Sequence, residues 1–291
     1  MLTSRSREKT IGESLEGLGA RFEKISDTPG LDAQVLLAHL LDKPRSWVLA
    51  HPQESLTGGR SAALEKLAAR VENGEPLPYI LGRWGFFGLD FDVSPGVLIP
   101  RPETELLVEN ALSRLKKLEP ARGEVSVLDM GTGSGCIAIA LAVNEPRIKI
   151  TASDISPAAL EVARGNAGKL KVTDRINFLE ADLFNAPPLM GSFSVIVSNP
   201  PYIPTRKLRQ TAVYGNEPTQ ALDGGSDGLV LIRRILKEAP IHLPPGGLVL
   251  VEIESSEGSQ VLSLASESFP KARIRLHKDL AGHDRLLEVQ A

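Results

Sequence analysis

The chain has little of what disulfide-bonded, metal-binding or membrane proteins require. Its 291 residues include one cysteine, so an intramolecular disulfide is excluded and a reducing compartment is permitted. No apolar run approaches the length of a membrane span, and the first residues lack the apolar core of a secretory signal. His39 and His51 have no second ligand at metal-like spacing, so we predict no metal site. We expect a cytoplasmic protein without a membrane partner.

Strong charge of either sign is also missing. The formal net charge is −3, and no run of like charge marks a basic arm. Because affinity for duplex nucleic acid comes largely from phosphate contacts, we expect no direct nucleic-acid binding. With 42% hydrophobic residues, a chain of this length can bury a sizeable core, and we expect two domains.

Residues 1–75 have the pattern of a small helical domain. Leu31–Leu41 is strongly apolar, Ser61–Val71 carries apolar residues at helical spacing, and Asn73-Gly74 ends the second helix. Aromatic and β-branched residues broken by glycines follow, which predicts a β-hairpin linker at residues 76–100. The remaining residues, 101–291, are predicted to form the catalytic domain.

In that larger domain, short strands alternate with helices. The predicted strands are Val125–Asp129, Lys149–Asp154, Ile176–Leu179, Phe193–Val197, Leu248–Ile253 and Ile274–Leu276. A helix is predicted at Cys136–Val143, and Arg285–Gln290 is predicted as a last, antiparallel edge strand. This alternation predicts an α/β fold with a doubly wound, Rossmann-like sheet, which binds ligands at the carboxyl ends of its strands.

The glycine loop after the first of these strands predicts a nucleoside-type ligand. Asp129 precedes a G-x-G-x-G run that ends at Gly135, and Asp154 closes the next strand, where a carboxylate can accept from both ribose hydroxyls. A dinucleotide loop would have G-x-G-x-x-G, but its last position is Cys136 here. The spacing therefore favours S-adenosylmethionine, with Asp129 near the methionine amino group. Cys136 is interpreted as a small packing residue, although a helix N-terminus could lower its pKa.

A second loop, Ser198-Asn-Pro-Pro-Tyr202, is rich in hydrogen-bond acceptors. The Asn199 side-chain oxygen and the Pro200 carbonyl oxygen can hold both hydrogens of a planar NH2 group, and Tyr202 offers a flat face for stacking. This arrangement suits alkylation of an amide or aromatic amine. The alternative is a proline-rich turn that only caps a strand.

Two further segments have open roles. Asp182 could accept from an adenine amine while Leu183 walls the ring, or Asp182 could be a loop acid or N-cap. In Arg101-Pro-Glu-Thr-Glu105, which leads into an amphipathic stretch through Leu118, the acids and prolines are ordinary at a helix start. Alternatively, Arg101, Glu103 and Glu105 border the reaction site.

These motifs together resemble the HemK/PrmC family, the protein-(glutamine-N5) methyltransferases that modify peptide chain release factors. The resemblance runs from Tyr79-Ile-Leu-Gly82 through the two loops to Gly224-Gly-Ser-Asp-Gly228. It implies methylation of the glutamine in the Gly-Gly-Gln loop of class 1 release factors, with the N-terminal domain as docking domain. One departure is Glu252-Ile-Glu254, where the family usually has Glu-Ile-Gly.

The resulting site assignments combine the residue patterns with the resemblance. The predicted catalytic residues are Asn199, Pro200 and Tyr202. The predicted substrate-binding residues are Asn199, Pro200, Pro201, Tyr202, Arg101 and Glu103. The predicted donor-binding residues are Asp129, Gly131, Thr132, Gly133, Ser134, Gly135, Asp154, Asp182, Leu183 and Asn199.

Two other functions use the same motifs. A DNA adenine-N6 methyltransferase could use the same acceptor loop, but it must flip a base and usually carries a basic recognition domain, and only about 90 residues follow Tyr202. A non-catalytic donor-binding scaffold is the third reading, against which Asn199 and Tyr202 argue.

Overall fold

The computed structural model describes residues 8–117, 125–186, 189, 192–211 and 213–291. The chain divides into two compact units, Met1–Gly82 and Arg83–Ala291. The domain boundaries predicted from the sequence, after residues 75 and 100, differ in definition from this division and stay predictions. Within the described ranges, no helix combines the length and the apolarity needed to cross a bilayer.

In the described part of the first unit, the regular secondary-structure elements are all helices. Its helices are α1 (Ile11–Phe22), α2 (Pro29–Leu41), α3 (Arg45–Ala50), α4 (Gly58–Glu72) and α5 (Leu77–Leu81). Both predicted helices are present as α2 and α4, and α4 ends where predicted, with Asn73 as its C-cap and Gly74 at φ 86°. Helix α1 begins with a capping box in which Thr10 and Glu13 exchange side-chain and backbone hydrogen bonds. Its buried residues, including Leu18 and Phe22, pack into the core of this unit.

A two-stranded hairpin opens the second unit. Strand β1 (Arg83–Phe86) pairs antiparallel with β2 (Leu89–Asp92), as the residue pattern predicted. Phe87 and Gly88 form the turn, and both have positive φ, 51° and 72°. The Glu105 Oε1 atom accepts a hydrogen bond from the Phe87 N–H at 2.7 Å. Glu105 therefore anchors the hairpin turn.

The hairpin is followed by a central sheet of seven strands in the described residues. Its members are β3 (Val125–Met130), β4 (Ile148–Asp154), β5 (Ile176–Glu180), β6 (Val195–Ser198), β7 (Leu248–Glu252), β8 (Arg273–Lys278) and β9 (Asp284–Gln290). The spatial order is β5-β4-β3-β6-β7-β9-β8, with β3 to β7 parallel. Because the order reverses between β3 and β6, their carboxyl ends flank the switch point where such sheets bind ligands.

The prediction that the last strand forms the edge of the sheet is wrong. Strand β9 is antiparallel, as expected, but it lies between β7 and β8, and β8 is the edge. Four consecutive residues of β9, Leu286–Val289, are buried, which requires cover on both faces, whereas β8 alternates exposed and half-buried positions.

Helices cover both faces of the sheet. The α-helices of the second unit in the described residues are α6 (Glu105–Leu115), α7 (Cys136–Asn144), α8 (Pro157–Lys169), α9 (Thr205–Leu208), α10 (Val230–Glu238) and α11 (Gly258–Ser268). Helices α6, α7 and α8 contribute to one core cluster, and α10 and α11 to a second cluster that lines the other face. Leu118, the predicted end of the amphipathic stretch, lies outside the described residues.

Candidate active site

The Gly131–Gly135 segment connects β3 to α7, and its glycines have positive φ. We call it the donor turn, because the sequence predicts that it binds the methyl donor. Gly131, Gly133 and Gly135 have φ of 69°, 55° and 82°. A Cβ added to Gly131 or Gly133 would meet no atom within 4 Å, so the turn has open space on that side. A Cβ on Gly135 would lie 2.9 Å from Ile139 Cδ1 and 3.1 Å from Ala163 Cβ, so this glycine permits close helix packing. The turn thus has open space beside Gly131 and Gly133 and close packing against the core at Gly135.

Asp129 lies fully buried beneath this turn. Its Oδ2 accepts from the Thr132 hydroxyl at 2.7 Å and from the Ala138 N–H at 3.2 Å. Its Oδ1 has no hydrogen-bond partner in the described structure. Burial raises the pKa of Asp129 to about 7, and the neighbouring Asp154 carboxylate adds to the rise. The uncompensated oxygen fits a donor with a positively charged amino group.

Asp154 ends β4 beside the donor turn. Its Oδ2 accepts from the Gly133 N–H and its Oδ1 from the Ser156 N–H, each at 2.9 Å. Burial raises the pKa of this carboxyl group. Each carboxylate oxygen can accept a further hydrogen bond, so a ribose diol remains compatible with these contacts. The next residue, Ile155, is 49% exposed, and our sequence reasoning did not include this apolar surface.

The predicted adenine-binding pair follows β5. Asp182 accepts from two nitrogens of Arg234, on α10, at 3.0 Å each. Leu183 has a positive φ of 53°, which turns the chain at this point. The adenine role of this pair stays a prediction. The structure adds Arg234, 52 residues away in sequence, as the partner of the carboxylate.

The acceptor loop leaves the sheet directly beside the donor turn. Ser198, the last residue of β6, donates its hydroxyl to the Met130 carbonyl of β3 at 2.8 Å. Asn199 Nδ2 then donates to Thr104 Oγ1 at 2.9 Å. The Tyr202 hydroxyl donates to Glu252 Oε1 at 3.2 Å. The side-chain NH2 group of Asn199 is therefore engaged in a hydrogen bond within the protein, and no described protein group donates to its side-chain oxygen.

Glycines further along the chain support the backbone of this loop. A Cβ on Gly224 would lie 2.8 Å from the Tyr202 carbonyl carbon, and one on Gly228 would lie 2.5 Å from the Tyr202 oxygen. Gly224 N–H also donates to the Ile203 carbonyl at 2.8 Å. The Gly-Gly-Ser-Asp-Gly motif thus lets two backbone segments pack in direct contact.

The Arg101–Glu105 segment borders the acceptor loop through a residue that the sequence reasoning missed. Thr104 contacts Asn199, although the two are 95 positions apart and no local signal connects them. Arg101 donates to Glu217 Oε1 at 2.5 Å, and Glu217 also accepts from the Ile99 N–H at 3.2 Å. Glu103 is exposed. The predicted substrate-binding roles of Arg101 and Glu103 stay predictions.

Comparison with known proteins places the chain in a family. The PrmC N-terminal domain matches residues 13–82, and the methyltransferase small domain matches residues 104–275. A release factor glutamine methyltransferase of Rhodopirellula baltica is 36% identical over 99% of this chain and 98% of its own. The chain belongs to the release factor glutamine methyltransferase family. A member from Vibrio cholerae is 42% identical over 90% of this chain and 89% of its own.

A solved structure shares the fold of this family member. The catalytic domain of hMettl16, in complex with the MAT2A 3'UTR hairpin 6, is 15% identical and has a TM-score of 0.53. The match covers 80% of this chain and 82% of that one. The family resemblance and the predicted methyltransferase-type α/β fold are both confirmed.

The Glu252-Ile-Glu254 segment carries two carboxylates. Glu252, the last residue of β7, is 1% exposed, and burial raises its pKa to about 7. Glu254 Oε2 accepts from the Ser256 N–H at 2.8 Å, and Glu257 Oε2 accepts from the Glu254 N–H at 3.4 Å. This capping box begins a short 3-10 helix that leads into α11. The Glu254 carboxylate thus has a local structural role.

Cys136 is a packing residue in this environment. Burial raises the pKa of its thiol to about 12, and the Asp129 carboxylate contributes to the rise. The activating effect that a helix N-terminus could have had is therefore outweighed by burial. Among the described residues, no cluster of three or more His, Cys, Asp or Glu side chains is placed to hold a metal ion.

Proposed function

We propose that this protein transfers a methyl group from S-adenosylmethionine to the side-chain amide nitrogen of the glutamine in the Gly-Gly-Gln loop of class 1 peptide chain release factors. The main observation in support is the hydrogen bonding of the Asn199 side chain. It donates its N–H to Thr104 at 2.9 Å and keeps its oxygen available, next to a proline that has no N–H. Relatives of the chain that carry the name release factor glutamine methyltransferase support this substrate.

The residues at the end of β3 and β4 fit a sulfonium donor. The open side of the turn at Gly131 and Gly133 admits a ligand close to the backbone. Asp129, with its unpartnered buried oxygen, suits the amino group of the methionine part, and Asp154 suits the ribose hydroxyls. When bound, the donor would supply an electrophilic methyl carbon attached to positively charged sulfur.

The acceptor loop then prepares the amide nitrogen. An amide lone pair is delocalised, so two acceptors on its hydrogens, Asn199 Oδ1 and the Pro200 carbonyl, would draw electron density onto nitrogen and orient it. Tyr202 would stack on the planar group. As the methyl carbon bonds to this nitrogen, the electron pair of the carbon–sulfur bond would stay on sulfur, which becomes neutral, and one amide proton would pass to water, so that the product is a neutral N-methyl amide.

The first unit would supply docking affinity. Its match to the PrmC N-terminal domain supports this role, because a flexible glutamine loop offers few contacts of its own and a second contact site raises the effective concentration. Translation termination takes place in the cytoplasm, and we propose the same location for this enzyme.

Incubation with methyl-labelled donor tests the proposal. The three substrates are an unmodified class 1 release factor, its Gln→Ala variant in the Gly-Gly-Gln loop, and adenine-containing duplex DNA. We expect label only on the factor with the intact glutamine. Label on the DNA, or equal label on the Gln→Ala factor, would overturn the assignment, and absence of label on all three would favour a donor-binding scaffold.

A further inference from the structure

We propose that Thr104 and Glu252 are positioning residues that fix which end of the Asn199 side-chain amide, the oxygen or the NH2 group, is presented to the substrate. This inference rests on the proposed function, because it concerns how the amide-binding acceptor is held. Neither residue belongs to the acceptor loop itself. Thr104 precedes α6 and contacts Asn199 just after β6, and Glu252 ends β7, which pairs with β6.

The first step is the contact between Asn199 and Thr104. Asn199 Nδ2 donates to the Thr104 hydroxyl oxygen at 2.9 Å, and Thr104 is 1% exposed. A threonine hydroxyl has a single proton. While its oxygen accepts from the Asn199 NH2 group, that proton must point to a different acceptor. If the proton instead pointed at Asn199, the asparagine would have to present its oxygen to Thr104.

Glu252 is the acceptor that decides between these two arrangements. Its carboxylate is buried, accepts from the Tyr202 hydroxyl at 3.2 Å, and is stabilised in its charged form by the hydroxyls of Thr104 and Tyr202. Its Oε2 is buried and has no hydrogen-bond partner in the described structure, so this oxygen is open to the Thr104 proton. An ionised carboxylate can only accept. Glu252 therefore draws the Thr104 proton toward itself and leaves the Thr104 oxygen to Asn199.

The consequence for the reaction is the direction of the Asn199 oxygen. With Nδ2 held by Thr104, Oδ1 is available to accept from an incoming NH2 group. Rotation of the amide by 180° would instead present two N–H donors to a substrate that also presents N–H donors, and the two would repel. Holding this acceptor in advance avoids reorganisation at the moment of reaction.

The protonation state of Glu252 gives the arrangement a distinct pH dependence. Burial raises its pKa to about 7, the Arg285 guanidinium opposes the rise, and Glu103 adds to it. Protonated Glu252 could donate, so the selection of the Asn199 orientation would be lost as pH falls through about 7. Asp129 titrates near the same pH on the donor side, so only a Glu252 variant separates the two.

Three variants in the full-length protein test the inference. Thr104→Val removes the hydroxyl at nearly constant shape, Thr104→Ser keeps it, and Glu252→Gln removes the charge. We expect Thr104→Val and Glu252→Gln to lower kcat on the release factor by about 10-fold or more, with donor affinity within about twofold of the wild type. Thr104→Ser is expected to stay within about threefold. Thermal unfolding of each variant checks that the fold is kept.

A spectroscopic readout makes the test independent of turnover. In protein labelled with 15N-asparagine, the side-chain NH2 signal that disappears in Asn199→Ala belongs to Asn199. We expect this signal to shift between pH 8 and pH 6 in the wild type and to lose that dependence in Glu252→Gln. Equal kcat for Thr104→Val and Thr104→Ser, or an unchanged pH response in Glu252→Gln, would overturn the positioning role. Wild-type protein that leaves the release factor unmethylated would instead overturn the proposed function, and the NMR result would still stand.

Discussion

Replacement of Asp154 is the most direct test of the donor site. In the structure, the Asp154 carboxylate accepts hydrogen bonds from the N–H groups of Gly133 and Ser156 at 2.9 Å each. It therefore stabilises the donor turn, in addition to its proposed contact with the ribose. Hydrogen bonds to a charged group contribute about 1.5 to 3 kcal/mol, and this range corresponds to an affinity loss of about 10- to 150-fold. We therefore expect Asp154→Ala to weaken S-adenosylmethionine binding by that factor.

Isothermal titration calorimetry measures this effect, with Asp154→Asn as the matched control. The asparagine keeps one oxygen acceptor at the same position, so its loss of affinity is expected to be smaller than that of Asp154→Ala. Titration with a nicotinamide dinucleotide is expected to show no binding to the wild type, because Cys136 occupies the last position of the dinucleotide motif. Unchanged donor affinity in a folded Asp154→Ala protein would refute the reasoning and remove Asp154 from the site.

The other predictions address acceptor, pH and stability. Asn199→Ala is expected to cut kcat about 100-fold in the labelling assay while calorimetric donor affinity stays nearly constant; near wild-type turnover would contradict the amide-binding mechanism. Tyr202→Ala should chiefly raise KM for the release factor. Because burial raises the pKa of Asp129 to about 7, the donor-free protein should lose stability as pH rises from about 4 to 7. Asp129→Asn should flatten that loss in thermal unfolding. Arg101→Ala leaves the buried Glu217 carboxylate unpaired and should cost about 1 to 3 kcal/mol of unfolding free energy in urea, with Arg101→Lys milder.

The sequence by itself determined the elements whose geometry is local. Glycine is favoured wherever φ is positive, and proline fixes φ and removes an N–H. The donor turn at Gly131–Gly135 and the loop at Asn199–Tyr202 could therefore be located from the amino-acid sequence alone. Alternating apolar runs and turn residues likewise predicted the parallel sheet and most strand positions. These features depend on neighbours within a few residues.

Only the tertiary structure decided which distant side chains meet. The position of β9 inside the sheet depends on its pairing with β7 and β8, and neither partner can be read from β9 itself. Tyr202 meets Glu252 across 50 residues, because crossover connections in a parallel sheet bring sequence-distant strand ends to one edge. Asn199 meets Thr104, which lies before α6, across 95 residues. The two loops that we propose as ligand-binding sites could thus be found from the sequence, whereas the distant residues that contact them became visible only in the folded chain.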